Sequence, residues 1–146
     1  MINNAALSRA DLVTTLGPFA VSRDGRLVPR DDQVRPALRF AWRGRSCEAV
    51  MQDDRLHLRA IAGRIPSTAE RGADRGYTFR KVAGLPAEMP PGWRLTLTAD
   101  HRIAVEMDAP HGTTAVAVLS EMVRFAMALD PYLDRLESAG ARALSA

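Results

Sequence analysis

The sequence predicts an α+β fold in which an antiparallel five-strand sheet is packed by an N-terminal helix and a long C-terminal helix. Three observations carry this prediction. Apolar and polar residues alternate through Leu38–Ile61, a pattern typical of a three-strand meander with one buried face. A second alternating segment, Trp93–Met107, indicates a hairpin. The segment Val116–Leu136 is strongly apolar and has helical spacing.

The length and composition predict one folded domain. A chain of 146 residues, with 47% hydrophobic and 25% charged residues, can bury a core without metal or disulfide support. We expect the single domain to span residues 1–146, with an ordered core at about 7–138 and a mobile C-terminal tail.

The N-terminal helix is predicted to begin at Leu7–Leu12. Ser8 can cap the amide of Asp11, whose carboxylate favours the positive end of a helix. Gly17-Pro18 would then end the helix after about two turns. A minor two-stranded ribbon is indicated around the turn at Asp24-Gly25, by Phe19–Val21 and Leu27–Val28.

The meander can be assigned a register from its two turns. Two-residue turns at Gly44-Arg45 and Asp53-Asp54 bring apolar residues to the same face, whereas a slip of one residue would bury arginine and glutamate. The predicted rows are Leu38/Met51/Leu56, Phe40/Ala49/Leu58 and Trp42/Cys47/Ala60.

The hairpin obeys the same test. A three-residue loop, Ala99-Asp100-His101, pairs apolar residues with each other, whereas a two-residue loop would set Leu95 against Glu106. The predicted pairs are Leu97/Ile103, Leu95/Val105 and Trp93/Met107.

The segment Ile65–Gly92 predicts one irregular helix and a loop. Ser67–Glu70 has the capping-box pattern, but Gly72 and Gly76 weaken a helix that follows it. Tyr77–Ala83 fits either a helical turn or a short strand.

The terminal helix is predicted to begin near Thr113, with Thr113 or Gly112 as its cap. Asp130-Pro131 either kinks this helix or begins a second one. Gly140 should end the helical segment.

The apolar arc of the terminal helix is wider than one sheet requires. At 100° per residue it covers roughly 200° of the circumference. One side should close the core, and its members are Ala115, Val118, Leu119, Met122, Phe125, Ala126 and Leu129. The excess lies at Val116, Val123 and Met127, which we predict to bind a partner.

A second candidate surface is the outward face of the meander. It should carry Arg39, Arg43 and Arg59, which can form either a solvated face or part of the partner-binding surface.

The sequence contains no pattern that indicates catalysis, a cofactor or a metal. Cys47 belongs to the inward set of the meander, where a cysteine acts as a small core residue. His57, His101 and His111 lack the spacing of metal ligands. We therefore predict no catalytic, cofactor-binding or metal-binding residue.

The charge and the cysteine content predict which classes of partner the protein binds and the compartment in which it functions. The net charge is +3, but Lys81 is the only lysine and the arginines are interleaved with acids, so a nucleic-acid partner is not favoured. A single cysteine, no apolar leader and no span of 18 apolar residues predict a cytoplasmic protein with no membrane partner.

The order of elements resembles that of type III secretion chaperones and the related YbjN-like bacterial domains. The similarity covers Ser8–Glu137 and is carried by the meander, the Ile65-Pro66 exit, the hairpin and the terminal helix. The resemblance implies a non-enzymatic, commonly homodimeric protein that holds a segment of a client protein. Those chaperones are usually acidic, whereas this chain is basic.

Three hypotheses about function follow from the sequence. The first is a non-enzymatic protein-binding domain, chaperone-like or an adaptor, that acts as a homodimer. The second is a small-molecule-binding protein or an enzyme with a cleft between sheet and terminal helix, where His57, His101 or Arg94 would converge. Nucleic-acid binding is the third.

Overall fold

The computed structural model describes residues 12–30, 36–52, 55–109 and 114–142. It contains two antiparallel sheets and two α-helices, which confirms the α+β class and the five-strand sheet. No helix in these ranges is long and apolar enough to cross a membrane. The elements are β1 Leu12–Leu16, β2 Phe19–Ser22, β3 Leu27–Pro29, β4 Ala37–Trp42, β5 Arg45–Gln52, β6 Arg55–Arg64, α1 Arg75–Gly84, a 3₁₀ helix Leu85–Glu88, β7 Arg94–Leu97, β8 Arg102–Ala109 and α2 Ala115–Ser138.

The larger sheet joins the meander to the hairpin in the order β4-β5-β6-β8-β7. The predicted β5–β6 register is confirmed, with Ala49 opposite Leu58. The predicted β7–β8 register is also confirmed, since Leu95 lies opposite Val105. Strand β8 pairs with the central strand β6 and thereby merges both patterns into one sheet.

The predicted turn between β4 and β5 is wrong by one position. Residues Arg43 and Gly44 form the turn, and both have positive φ (50° and 79°), as tight hairpin turns require. Trp42 therefore pairs with Arg45, and Phe40 pairs with Cys47 instead of Ala49. This displacement moves the register by two residues, so the apolar side chains of β4 stay on the inward face.

The predicted N-terminal helix is wrong where the structure describes it. Leu12–Leu16 forms β1, which turns at Gly17-Pro18 and pairs with β2. Three of its five residues are β-branched, and Gly17 has a φ of 55°, so this segment favours a strand and a tight turn. The predicted ribbon is present as β2–β3, and β1 makes it a three-stranded sheet. Leu7, Ser8 and Asp11 lie outside the described residues.

The helix of the middle segment begins later than its capping-box pattern suggests. Glu70 accepts a hydrogen bond from the Ser67 amide at 3.3 Å, but only turns follow, and Gly72 has a φ of 72°. Helix α1 begins at Arg75, where Asp74 caps the Tyr77 amide at 3.0 Å. Tyr77–Ala83 is thus helical.

Helix α2 is one continuous element of 24 residues that runs through Pro131. Its cap is Thr114, whose hydroxyl accepts from the Ala117 amide at 3.1 Å, so the predicted caps were one or two residues early. Gly112 and Thr113 themselves lie outside the described ranges. Gly140 follows the C-cap with a φ of 92°, as predicted for the end of the helix.

The core lies between the inward face of the larger sheet and α2. Leu58 and Val105 from the sheet and Leu129 and Leu133 from α2 are fully buried in one hydrophobic cluster. Phe19 of the smaller sheet belongs to the same cluster. Hydrophobic burial of this kind is the main stabilising term in folding.

Candidate functional site

Four apolar side chains remain exposed on α2 between Val116 and Met127. Val116 is 75% exposed, Val123 59% and Met127 61%, as the apolar arc predicted. Leu119 joins them at 42% exposure. We call these four residues the α2 flank. Their spacing of three, four and four residues keeps them on one side of a helix, as in a helix–helix seam.

The prediction that Leu119 lies on the core side of α2 is wrong, because its side chain is exposed. Its neighbour Val118 is fully buried, and consecutive residues of a helix point 100° apart. Leu119 therefore turns away from the core toward Val123, which lies one helical turn further along. The core side keeps Val118, Phe125 and Leu129.

The same side of α2 changes from apolar to acidic after Met127. Asp130, Asp134 and Glu137 continue the stripe at helical spacing. Arg43 from the β4–β5 turn reaches Asp134 at 2.8 Å and Glu137 at 3.3 Å. These acidic side chains thus have partners within the chain, whereas the apolar half of the stripe is exposed.

Arg43 is therefore placed apart from the other two predicted arginines. Its hydrogen bond with Asp134 raises the pKa of the guanidinium above its usual range. The neighbouring Trp42 indole donates to Asp130 Oδ1 at 2.7 Å, so two consecutive residues fasten the β4–β5 hairpin to α2. Arg43 is engaged within the chain instead of lying on the outward sheet face.

Arg39 and Arg59 do lie on the outward face, in a row of alternating charge. The row crosses all five strands, with each residue directly opposite the next. Opposite charges at cross-strand positions stabilise a sheet by about 0.2–1 kcal/mol per pair. Within the row, Arg59 forms an ion pair with Glu106 at 3.4 Å. Its members are Arg39, Glu48, Arg59, Glu106 and Arg94.

His57 lies beside this row, between two carboxylates. Its Nδ1 is 2.7 Å from Asp108 Oδ1 and its Nε2 is 3.1 Å from Glu106 Oε1. Arg94 approaches the other oxygen of Asp108 at 3.6 Å. The hydrogen bond with His57 and the charge of Arg94 hold the pKa of Asp108 below its usual 3.8.

We expect Asp108→Asn to reduce the loss of stability in acid. The folded pKa of Asp108 lies below its unfolded pKa, so its stabilising contribution is present above the unfolded pKa and disappears as pH falls through the folded pKa. The free energy of urea unfolding, measured at pH 7 and between about pH 4 and pH 2, should fall less steeply in the variant. Equal acid losses in both proteins would contradict the assignment.

His101 is the other histidine that the structure describes. His101 has a φ of 64° in the β7–β8 loop, and its Nδ1 lies 3.4 Å from Arg75 Nη2. His111 lies outside the described residues. Within the described ranges, no group of three or more His, Cys, Asp or Glu side chains could hold a metal ion.

Cys47 is a core residue, as predicted. It is 4% exposed, and burial raises the pKa of its thiol to about 11. A nucleophilic cysteine needs its thiolate near neutral pH, and this thiol stays protonated there.

A surface groove of about 360 Å³ lies between α1 and the C-terminal half of α2. Its two acids already have arginine partners, since Glu88 pairs with Arg135 and Asp134 pairs with Arg43. Lys81 lies in the last turn of α1, where a cation stabilises the helix end. The sequence did not predict this groove, because the pattern of Tyr77–Ala83 fits a helical turn and a short strand equally.

The predicted cleft between sheet and terminal helix is not where the polar candidates lie. Leu58 and Leu133 are fully buried at that junction. His57 and Arg94 both bind Asp108 on the opposite, outward face of the sheet. Among the described residues, the largest exposed apolar stripe on one element is the α2 flank.

No protein family, no curated protein and no solved structure matches this chain.

Proposed function

We propose that this chain is a non-enzymatic protein-binding domain that acts as a homodimer through the α2 flank. The observation that carries the proposal is the exposure of four apolar side chains, at 42–75%, along three turns of one helix. Contiguous apolar surface on a folded protein is typical of an interaction site. A chaperone-like or adaptor role, as the resemblance implies, remains part of this proposal.

A second copy of the chain is the occupant that the charges favour. The acids further along this side of α2 are paired with Arg43, and Arg124 beside the flank is paired with Glu121 at 3.1 Å. Two identical flanks can therefore meet without bringing an uncompensated charge into the contact. Closed twofold dimers of this isologous kind are the commonest soluble assemblies.

The length of the flank sets the expected affinity. Val116 to Met127 spans about 17 Å at 1.5 Å per residue, which is short for a protein interface. Contacts of this size belong to the weak end of specific association, so we expect a dissociation constant on the order of micromolar.

We expect Leu119→Lys and Val123→Lys to dissociate the dimer. An ammonium group in an apolar contact pays its desolvation cost without a partner, so the dissociation constant should rise at least about tenfold. Sedimentation velocity across a concentration series measures the effect, and circular dichroism confirms that each variant is folded.

The matched control is Leu97→Lys. Leu97 is 39% exposed on β7, close to the 42% exposure of Leu119, but it lies outside the flank. This variant should dimerise like the wild type. A wild-type protein that stays monomeric at high concentration, or an equal effect of all three substitutions, would refute the proposal.

The small-molecule alternative has weaker support. The α1–α2 groove has a volume in the range of ligand pockets, at about 360 Å³, but its acids are neutralised within the chain. A binding site for a small molecule needs polar groups that converge on the ligand, and here both acids are directed to arginines.

A further inference from the structure

We infer that the second copy packs its α2 helix antiparallel to the first, with the twofold axis passing between Glu121 and Met122. This inference rests on the proposed function and deepens it by giving the orientation of the partner.

The two ends of the flank are symmetric about the midpoint between Glu121 and Met122. Val116 and Met127 are equally far from that point, on either side of it. An antiparallel pair therefore places Val116 of one copy opposite Met127 of the other, and apolar contacts apolar at both ends.

The centre of the contact is compatible with the same arrangement. Ser120 and Val123 are equally far from the midpoint, so Ser120 of one copy lies opposite Val123 of the other. For the same reason, Leu119 lies opposite Arg124. Ser120 is small enough to allow close approach of the two helices. The aliphatic stem of Arg124 can cover Leu119 while its guanidinium stays in water.

Charge separates the antiparallel from the parallel orientation. In a parallel pair, Asp130 and Asp134 would face the same residues of the other copy, and these carboxylates keep 42% and 68% exposure despite Arg43. Like charges at neighbouring positions destabilise a helix pair. The parallel orientation is therefore disfavoured.

In the antiparallel orientation, Asp130 contributes favourably. In this pair, Ala128 of one copy lies opposite Ala115, the first residue of α2, of the other copy. Asp130 therefore lies just beyond the start of the other helix. The start of a helix carries a partial positive charge and attracts carboxylates. Each Asp130 carboxylate then approaches the opposite helix at its positive end.

Disulfide trapping tests the orientation. Val116→Cys and Met127→Cys are prepared as separate proteins, one of them labelled with ¹⁵N, then mixed and oxidised. Both positions are more than half exposed, at 75% and 61%, so neither substitution disturbs the core. Cys47 is buried and stays in place, and a Cys47→Ala background checks that it does not react.

The mixed disulfide joins Val116→Cys of one copy to Met127→Cys of the other, and a homodisulfide joins two copies of one variant. We expect the yield of the mixed disulfide to exceed that of each homodisulfide by at least about tenfold, because a disulfide requires Cα atoms within about 7 Å. In the antiparallel pair, two copies of the same position are about 17 Å apart along the helices. Mass spectrometry of the isotope-labelled mixture separates the three products.

The outcomes distinguish this inference from the proposed function. Dominant homodisulfides, in a protein that sediments as a dimer, would overturn the antiparallel orientation and leave the dimer intact. A protein that sediments as a monomer and forms no specific disulfide would overturn both. A dominant mixed disulfide in a dimeric protein supports both.

Discussion

Replacement of Leu58 by alanine should lower the free energy of unfolding by about 3 kcal/mol. Leu58 is fully buried in the central strand β6, where it lies opposite Ala49 and Met107 and faces the core formed with α2. Truncation removes apolar surface from the core and leaves a cavity that packed neighbours fill only in part. Urea denaturation, with an unchanged m-value, measures the loss.

The control for this prediction is Leu97→Ala. The same chemical change at a residue that is 39% exposed on the edge strand β7 should cost less than about 1 kcal/mol. Comparable losses at both positions would contradict the assignment of Leu58 to the core. A domain of this size has a total stability of about 5–15 kcal/mol, so the difference between the variants is readily measured.

The strand pairings that could be predicted are those for which the alternation of apolar and polar residues and the length of the turn specify the same register. In the β5–β6 and β7–β8 hairpins, only one pairing keeps apolar residues together, and the structure has that pairing. The β4–β5 hairpin had two such pairings, which differ by two residues and bury the same face. Alternation cannot separate them, and the turn at Arg43-Gly44 decides between them.

The N-terminal segment shows where local patterns mislead. Leu7–Leu12 has the capping features of a helix, whereas Leu12–Leu16 pairs with β2 as a strand. The pairing depends on a neighbouring strand, and helix propensities contain no information about that neighbour. The capping box at Ser67–Glu70 likewise forms its hydrogen bond without starting a helix.

Helical geometry alone predicts which residues of the α2 flank are exposed, apart from Leu119. Positions Val116, Val123 and Met127 lie outside the arc that one sheet can cover, and they are exposed. The role of Arg43 was beyond reach, because its contact with Asp134 joins residues 91 positions apart. Such pairings follow from tertiary packing, which periodicity in a single sequence does not specify.

Replacement of Gly140 by alanine should cost about 3 kcal/mol of folding free energy. Gly140 has a φ of 92°, a conformation that side chains disfavour, and an added Cβ would lie 2.9 Å from Thr78 Oγ1. That hydroxyl is buried and donates to the Ala139 carbonyl at 2.7 Å, so the clash also strains the hydrogen bond that joins α1 to the end of α2. The free energy of urea unfolding measures the cost.

Gly92→Ala separates backbone strain from the clash. Gly92 has a similar φ of 86°, but no atom lies within 4 Å of an added Cβ, so its substitution should cost only about 1 kcal/mol. Adding Thr78→Ala to Gly140→Ala removes the clashing oxygen, and the double variant should be less destabilised than the sum of the single variants by about 1 kcal/mol. Equal costs at the two glycines, or strict additivity with Thr78→Ala, would show that Thr78 does not contact this position in solution.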